Sequence, residues 1–214
     1  NEGYVIIHRT PEGFASVSAP ALPAALTDPS VDQPSPWRRA METGRYEMDS
    51  VAPTISPSMD IQISSNFERL LFESAGRDAG AVTRMMDGLR QSGGFTLPDN
   101  ALAVIRRDFA AGTTGEDATR AAIADTLKAS AYLLDPHTAV GVHVARGHLG
   151  PAPMVTLATA HPAKFPAAVE AACGVEPALP AWLADLYGRE ERLSVLANDQ
   201  AAVEDFISAR TRAA

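Results

Sequence analysis

Residues 135–172 read DPHTAVGVHVARGHLGPAPMVTLATAHPAKFPAAVEAA, and the order of patterns in this stretch decides the fold class. After Asp135-Pro136 a helix is expected from His137 or Thr138 to Arg146. The run 153–159, apolar and rich in Val, Leu and Thr, then reads as a buried strand of about six residues. A second helix is expected over 164–172. Helix, strand and helix in succession are the mark of an α/β layer, because a strand buried on its faces needs helices to cover it.

Toward the N-terminus the pattern becomes helical. Helices are expected over 116–132, 100–111 and 79–91, the last with Val82, Met85, Met86 and Leu89 on one side. Thr114 before Glu116-Asp117 suits a helix start, since acidic groups favour the N-terminal end. Turns at Gly93-Gly94 and Gly112-Thr113 would separate these helices into a helical subdomain. Ser65-Asn66 precede a short helix over 67–73, with Phe67, Leu70 and Leu71 at core spacing and the polar pair as its N-cap. Before it lie a loop with two prolines (53–61) and a short helix (37–43) ending near Gly44. Tyr4-Val5-Ile6-Ile7-His8 reads as a strand. From Pro11 to Pro36, six of the sixteen prolines fall among Ala, Ser and Asp without a period, which reads as an irregular segment. On the C-terminal side, Val195-Leu196 is expected as a short edge strand, and 200–212 as an amphipathic helix with Val203, Phe206 and Ile207 inward.

The whole chain of 214 residues is 46% hydrophobic and 21% charged, the composition of a globular protein with a core. Its formal net charge of -8 argues against a nucleic-acid partner, because phosphate neutralisation requires clustered Lys and Arg. No apolar stretch approaches the roughly 20 residues of a membrane span, so no membrane partner is expected. Asn1-Glu2-Gly3 is neither a start methionine nor a signal-peptide opening, and the chain is expected to be soluble and cytoplasmic, with an internal start. The one cysteine, Cys173, cannot form an internal disulfide and reads as a small buried hydrophobe.

The chemistry has few candidates. His137, His143 and His148 are six and five residues apart and fall on different helix faces, so no metal is expected. No serine-hydrolase elbow, P-loop or dinucleotide-binding glycine pattern occurs. Acidic pairs such as Glu116-Asp117 and Glu190-Glu191 read as solvated. What stands out is three polar clusters at the ends of core elements: 56–60 (SPSMD), 135–141 (DPHTAVG) and 158–165 (ATAHPAKF). In open α/β sheets, ligands bind beyond the carboxyl ends of strands, where residues 159–164 fall. On the residues alone, structural turns, with Thr159 capping the next helix, fit these clusters as well as a ligand site does.

Residues 56–73, SPSMDIQISSNFERLLFE, together with 135–141 and 159–165, resemble the C-terminal region of the threonine synthases of the longer yeast and bacterial type. The three motifs stand in the family's order, and the resemblance runs from about Met41 to the end. It implies an α/β fold: part of the tryptophan synthase β-like fold of pyridoxal-phosphate enzymes, with a helical insertion. It implies the cofactor pyridoxal 5'-phosphate and the substrate O-phospho-L-homoserine, converted with water to L-threonine and phosphate. The cofactor ring delocalises the carbanions formed on deprotonation, and the protein orients bonds and manages protons.

Such a reaction needs a lysine for the cofactor, a glycine-rich loop for its phosphate and a hydroxyl facing the pyridine nitrogen. By resemblance Thr159 is that hydroxyl, and a neutral partner there moderates the electron sink. His161 and Lys164 follow it near the pocket, with Lys164 in the wrong motif to be the cofactor lysine. Ser58, Asp60, Ser65, Asn66 and Arg69 match the family's other motif and are substrate-side candidates, Arg69 being the one cation that could pair a phosphate. A surface role for Arg69 and a capping role for Asn66 fit equally. The resemblance divides the chain into 1–36, a strand and an irregular segment; 37–73, the start of the family's C-terminal part; 74–132, the helical insertion; and 133–214, the return to the α/β domain. The family's lysine segment and phosphate loop precede the first motif and are not found here, and 10–36 does not resemble the family. The chain is thus expected to be a fragment, inactive alone, with the missing N-terminal half as partner; a non-catalytic α/β binding module is the other reading.

Overall fold

The computed structural model describes residues 2–9, 15–18, 36–49, 53–60, 62–151 and 153–211. They form two units, Asn1–Ala178 and Leu179–Ala214. In the first, strand β1 (Glu2–Arg9) is followed by β2 (Ala15–Ser18), α1 (Pro36–Thr43), β3 (Arg45–Glu47), α2 (Phe67–Ser74), α3 (Ala79–Ser92) and β4 (Gly94–Thr96). Then come α4 (Asp99–Asp108), β5 (Phe109–Gly115), α5 (Glu116–Ser130), α6 (Pro136–Arg146), β6 (Met154–Leu157) and α7 (Pro166–Cys173).

A four-stranded sheet runs in the order β5-β1-β2-β6, and β3 and β4 form a separate pair. β1 is antiparallel to both neighbours, with Glu2 opposite Gly115 and Ile6 opposite Ser18, whereas β2 and β6 are parallel. Two expectations change here. Ala15–Ser18 lies within the stretch read as irregular, yet it is a strand joining β1 to β6. The rest of 10–35 lies outside the described residues. The helix expected to reach Ala111 ends at Asp108, and the turn expected at Gly112-Thr113 is the middle of β5. Pairing with β1, about a hundred residues earlier in the chain, overrides the helical propensity of Ala110 and Ala111.

Apolar spacing builds three clusters. Trp37, Tyr46, Phe67, Leu71, Met85, Leu89, Leu97, Leu102 and Ile105 pack together from α1, β3, α2, α3, α4 and the link between β4 and α4. The Phe67 ring centroid is 4.0 Å from that of Trp37 and 4.9 Å from that of Tyr46, both tilted, the arrangement that aromatic quadrupoles favour. The Tyr46 hydroxyl accepts a hydrogen bond from the Ser64 N–H at 2.9 Å. Burial pushes its phenol above the usual pKa, and the Ser64 bond partly offsets that rise.

α6 is the pivot of the other two clusters. Val140, Val144 and Ala145 meet Met59, Ala110 and Met154, while Ala139 and Val142 meet Ala122 and Ile123 of α5 and Ala172 and Cys173 of α7. The helix is apolar on more than one side because it is covered on more than one side. Its approach to β5 is so close that a Cβ on Gly112 would lie 2.6 Å from Cγ1 of Val144. β6 was expected to be buried, but Val155 and Leu157 are exposed, because β6 is the edge strand and only its Met154 side packs on α6.

In the second unit, two 3-10 turns (Ala181–Leu183 and Leu186–Gly188) precede α8 (Gln200–Ser208), whose Asp199 N-cap accepts from the Ala202 N–H. Val195-Leu196 is not a strand. Val203 and Ile207, expected inward, are exposed, and no residue of α8 is buried. Among the described residues, no helix is long and apolar enough to cross a membrane.

Candidate functional site

The three polar clusters meet at one side chain, His137. Asp135 is the N-cap of α6: its Oδ1 accepts from the His137 N–H at 2.9 Å and from the Thr138 N–H at 3.4 Å, filling two of the orphan donors at the helix start. Pro136 follows at the first helical position, where its missing N–H costs nothing. The cap turns the His137 ring back onto the carboxylate, with Nδ1 3.0 Å from Oδ1, and the Thr138 hydroxyl donates to Oδ2. Asp135, His137 and Thr138 are each at least 96% buried. A carboxylate so far from water is tolerated because four donors and the positive end of α6 surround it.

From the other side, the Ser58 N–H donates to His137 Nε2 at 3.1 Å. An amide N–H can only donate, so Nε2 bears no proton, and the ring hydrogen sits on Nδ1, where it donates to Asp135. The Phe165 ring completes the enclosure, its centroid 4.6 Å from that of His137. Residues from 56–60, 135–141 and 158–165 are thus in direct contact.

The first cluster is a turn closed on itself. Asp60 accepts from the Thr54 N–H at 2.6 Å and the Thr54 hydroxyl at 2.7 Å, and the Met59 N–H donates to the Ser56 carbonyl at 2.8 Å. Met59 is fully buried against α6, whereas the Ser58 side chain is exposed. The Ile55 N–H donates to Glu116 Oε1 at 3.1 Å, and Arg120 holds the other oxygen of Glu116 at 2.6 Å. Glu116 was expected to be solvated with Asp117; only Asp117 is, and Glu116 fastens the turn.

Thr159 is exposed two residues beyond β6 and makes no hydrogen bond among the described residues. It does not cap the next helix: His161 does, its Nδ1 accepting from the Ala163 N–H at 3.2 Å at the start of a 3-10 turn, Pro162–Lys164. Lys164 is exposed, with Nζ 5.8 Å from the Phe165 ring centroid. Ser65 and Arg69 are exposed, and among the described residues no ion pair engages Arg69. Asn66 precedes α2 in helical conformation, and its side chain does not cap the helix. Asp135 and His137 were legible as part of a motif but carried no role; the signal for Asp135 was an acidic residue directly before Pro at a helix start. No group of three or more His, Cys, Asp or Glu side chains among the described residues could hold a metal ion.

Residues 138–207 match the family model described as threonine synthase, C-terminal. Among curated proteins, the chain is similar to the threonine synthase of Pseudomonas aeruginosa, 48% identical over 173 residues, covering 79% of this chain and 37% of that protein. Among solved structures, it resembles the PLP-bound threonine synthase from Brucella melitensis, 58% identical with a TM-score of 0.75, covering 84% of this chain and 39% of the other. The threonine synthase from yeast gives 30% identity and a TM-score of 0.70, covering 81% and 39%. The chain therefore spans well under half the length of these relatives, and its mixed helices and strands are part of their fold. By its motifs, its 138–207 segment and its fold, this chain is similar to the C-terminal part of the threonine synthases.

Proposed function

We propose that this chain supplies the C-terminal part of a pyridoxal-phosphate-dependent lyase that converts O-phospho-L-homoserine and water to L-threonine and phosphate. The observation that carries this reading is the junction at His137, where the three family motifs, far apart in sequence, are held in contact. The exposed Thr159 hydroxyl beyond the carboxyl end of β6 fits a partner for the pyridine nitrogen of the cofactor. When bound, the cofactor supplies a ring that delocalises the charge left by deprotonation. Ser58 and Asp60 lie on the turn fastened to His137, Arg69 is an exposed cation suited to a phosphate, and Ser65 and Asn66 flank the same helix start. His161 and Lys164 stand on the turn after Thr159. Residues 74–132 act, in this reading, as an insertion beside an α/β domain resumed at 133, and the setting is the cytoplasm.

Neither of the two lysines, Lys128 and Lys164, lies in a motif matching the family's cofactor lysine, and both are exposed. The lysine and the phosphate loop are then to come from a partner, the N-terminal half of such an enzyme. The same two lysines favour the second reading, a binding module without turnover. Both are tested by mixing the chain with the cofactor, alone and with the N-terminal portion of a relative, and following visible absorbance, borohydride trapping and phosphate release. Phosphate release only in the mixture is expected. A visible band trapped on Lys128 or Lys164 in the chain alone would overturn the split reading, and cofactor binding without phosphate release in the mixture would favour the binding module.

A further inference from the structure

The turn over 54–60 leaves Ser58 exposed and is fastened from beneath at three points. Met59 is plugged between Val140 and Val144, the Ile55 N–H is held by Glu116, and the Ser58 N–H is held by His137 Nε2 at 3.1 Å. The first is apolar and non-directional, so it fixes depth but not rotation. The Glu116 bond acts at the start of the turn. Among the described residues, only the His137 bond acts at Ser58 itself, whose N–H meets the buried ring while the residue is exposed.

His137 can accept there because Asp135 holds its proton on Nδ1, and it keeps its plane because Phe165 lies against the ring. From these contacts we infer that His137 is a positioning residue: it fixes the outward presentation of Ser58 toward a phosphorylated amino-acid substrate. It touches no substrate itself. The inference rests on the proposed function for the identity of the substrate, while the fastening of Ser58 does not.

Three substitutions separate this role from core filling. His137→Gln places an amide where Nε2 stands and keeps an acceptor for Ser58; His137→Asn places it where Nδ1 stands, keeping the contact with Asp135 and leaving the Ser58 N–H bare. Asn is smaller than Gln by one methylene, so His137→Leu, which fills the space without an acceptor, is the third variant. A residue that merely filled space would let Leu keep Ser58 exchange and KM as well as Gln does, whereas loss of the acceptor makes Leu behave like Asn. Exchange of the Ser58 amide proton is read by NMR on the chain, and kcat and KM for phosphate release from O-phospho-L-homoserine on the complete enzyme with its cofactor. In the Asn and Leu variants, Ser58 exchange is expected to quicken on the order of tenfold and KM to rise by a similar factor with kcat little changed, while Gln restores both to within about threefold. Ser58 protection in the Asn or Leu variant equal to that in Gln, or equal KM values, would overturn the inference. No phosphate release from the unsubstituted enzyme would instead overturn the proposed reaction, and the amide exchange would still decide whether His137 fastens the turn.

Discussion

Around Phe67, elements meet mainly through apolar surface: rings from α1, β3 and α2 lie tilted with centroids 4.0 to 4.9 Å apart, and apolar side chains from α3 and α4 close the cluster. Around His137, elements meet through a buried carboxylate, an imidazole and a backbone amide, each with its partner at about hydrogen-bond distance. The first contact is non-directional and grows with area. The second is directional, and each unmade bond leaves a buried polar group without water. A protein that uses both gains bulk stability from one region and a defined geometry from the other. Ser58, His137 and Phe165, one from each polar cluster, collect at the directional one.

The contrast is open to attack by substitution. The largest effect is expected from Phe67→Ala, which removes a ring shared by three aromatic neighbours, Trp37, Tyr46 and Phe95, and should cost about 3–5 kcal/mol in denaturant unfolding of the chain. A cost under about 1 kcal/mol would mean that the aromatic cluster is not the main store of stability in this region. An intermediate effect is expected from Gly112→Ala, whose Cβ would press on Val144 at 2.6 Å; overpacking of this kind costs roughly 1–3 kcal/mol. Adding Val144→Ala should recover part of that loss in a double-mutant cycle. Simple additivity of the two would show that strand and helix do not meet there as tightly as the distance indicates.

The smallest effect on stability belongs to Thr159→Val. The side chain is exposed, so unfolding should shift by no more than about 0.5 kcal/mol. Titration of the complete enzyme with pyridoxal phosphate should nonetheless show weakened binding or an altered cofactor spectrum. A variant unchanged in both would remove Thr159 from the cofactor site and leave the polar junction, rather than the strand end, as the functional core of this chain.

Much of the helical architecture is legible in local patterns. The spacing of Val82, Met85, Met86 and Leu89 gives α3, and Phe67, Leu70 and Leu71 give α2, because a 3.6-residue period is written into neighbouring residues. The strands are less legible. β5 has the composition of a helix end and a turn, and becomes a strand because β1 pairs with it; β2 sits in a segment with no periodicity and pairs with β6. A ladder partner a hundred residues away leaves no local trace. The same holds for β6, where an apolar run promised burial and the sheet order made it an edge.

The candidate site divides in the same way. By itself, the sequence singled out the polar clusters at 56–60, 135–141 and 158–165, since these clusters and their resemblance to threonine synthases are properties of consecutive residues. It also placed a helix start after Asp135-Pro136, a local consequence of capping. Only the tertiary structure decided that Ser58, His137 and Phe165 touch, that Glu116 holds a loop instead of facing water, and that Asp60 closes its own turn on Thr54. The physical reason is that hydrogen bonds depend on where donors and acceptors point. A backbone N–H and a ring nitrogen 79 residues apart acquire that direction only when α6 is packed between the sheet and α5, with the turn at Met59 laid against it.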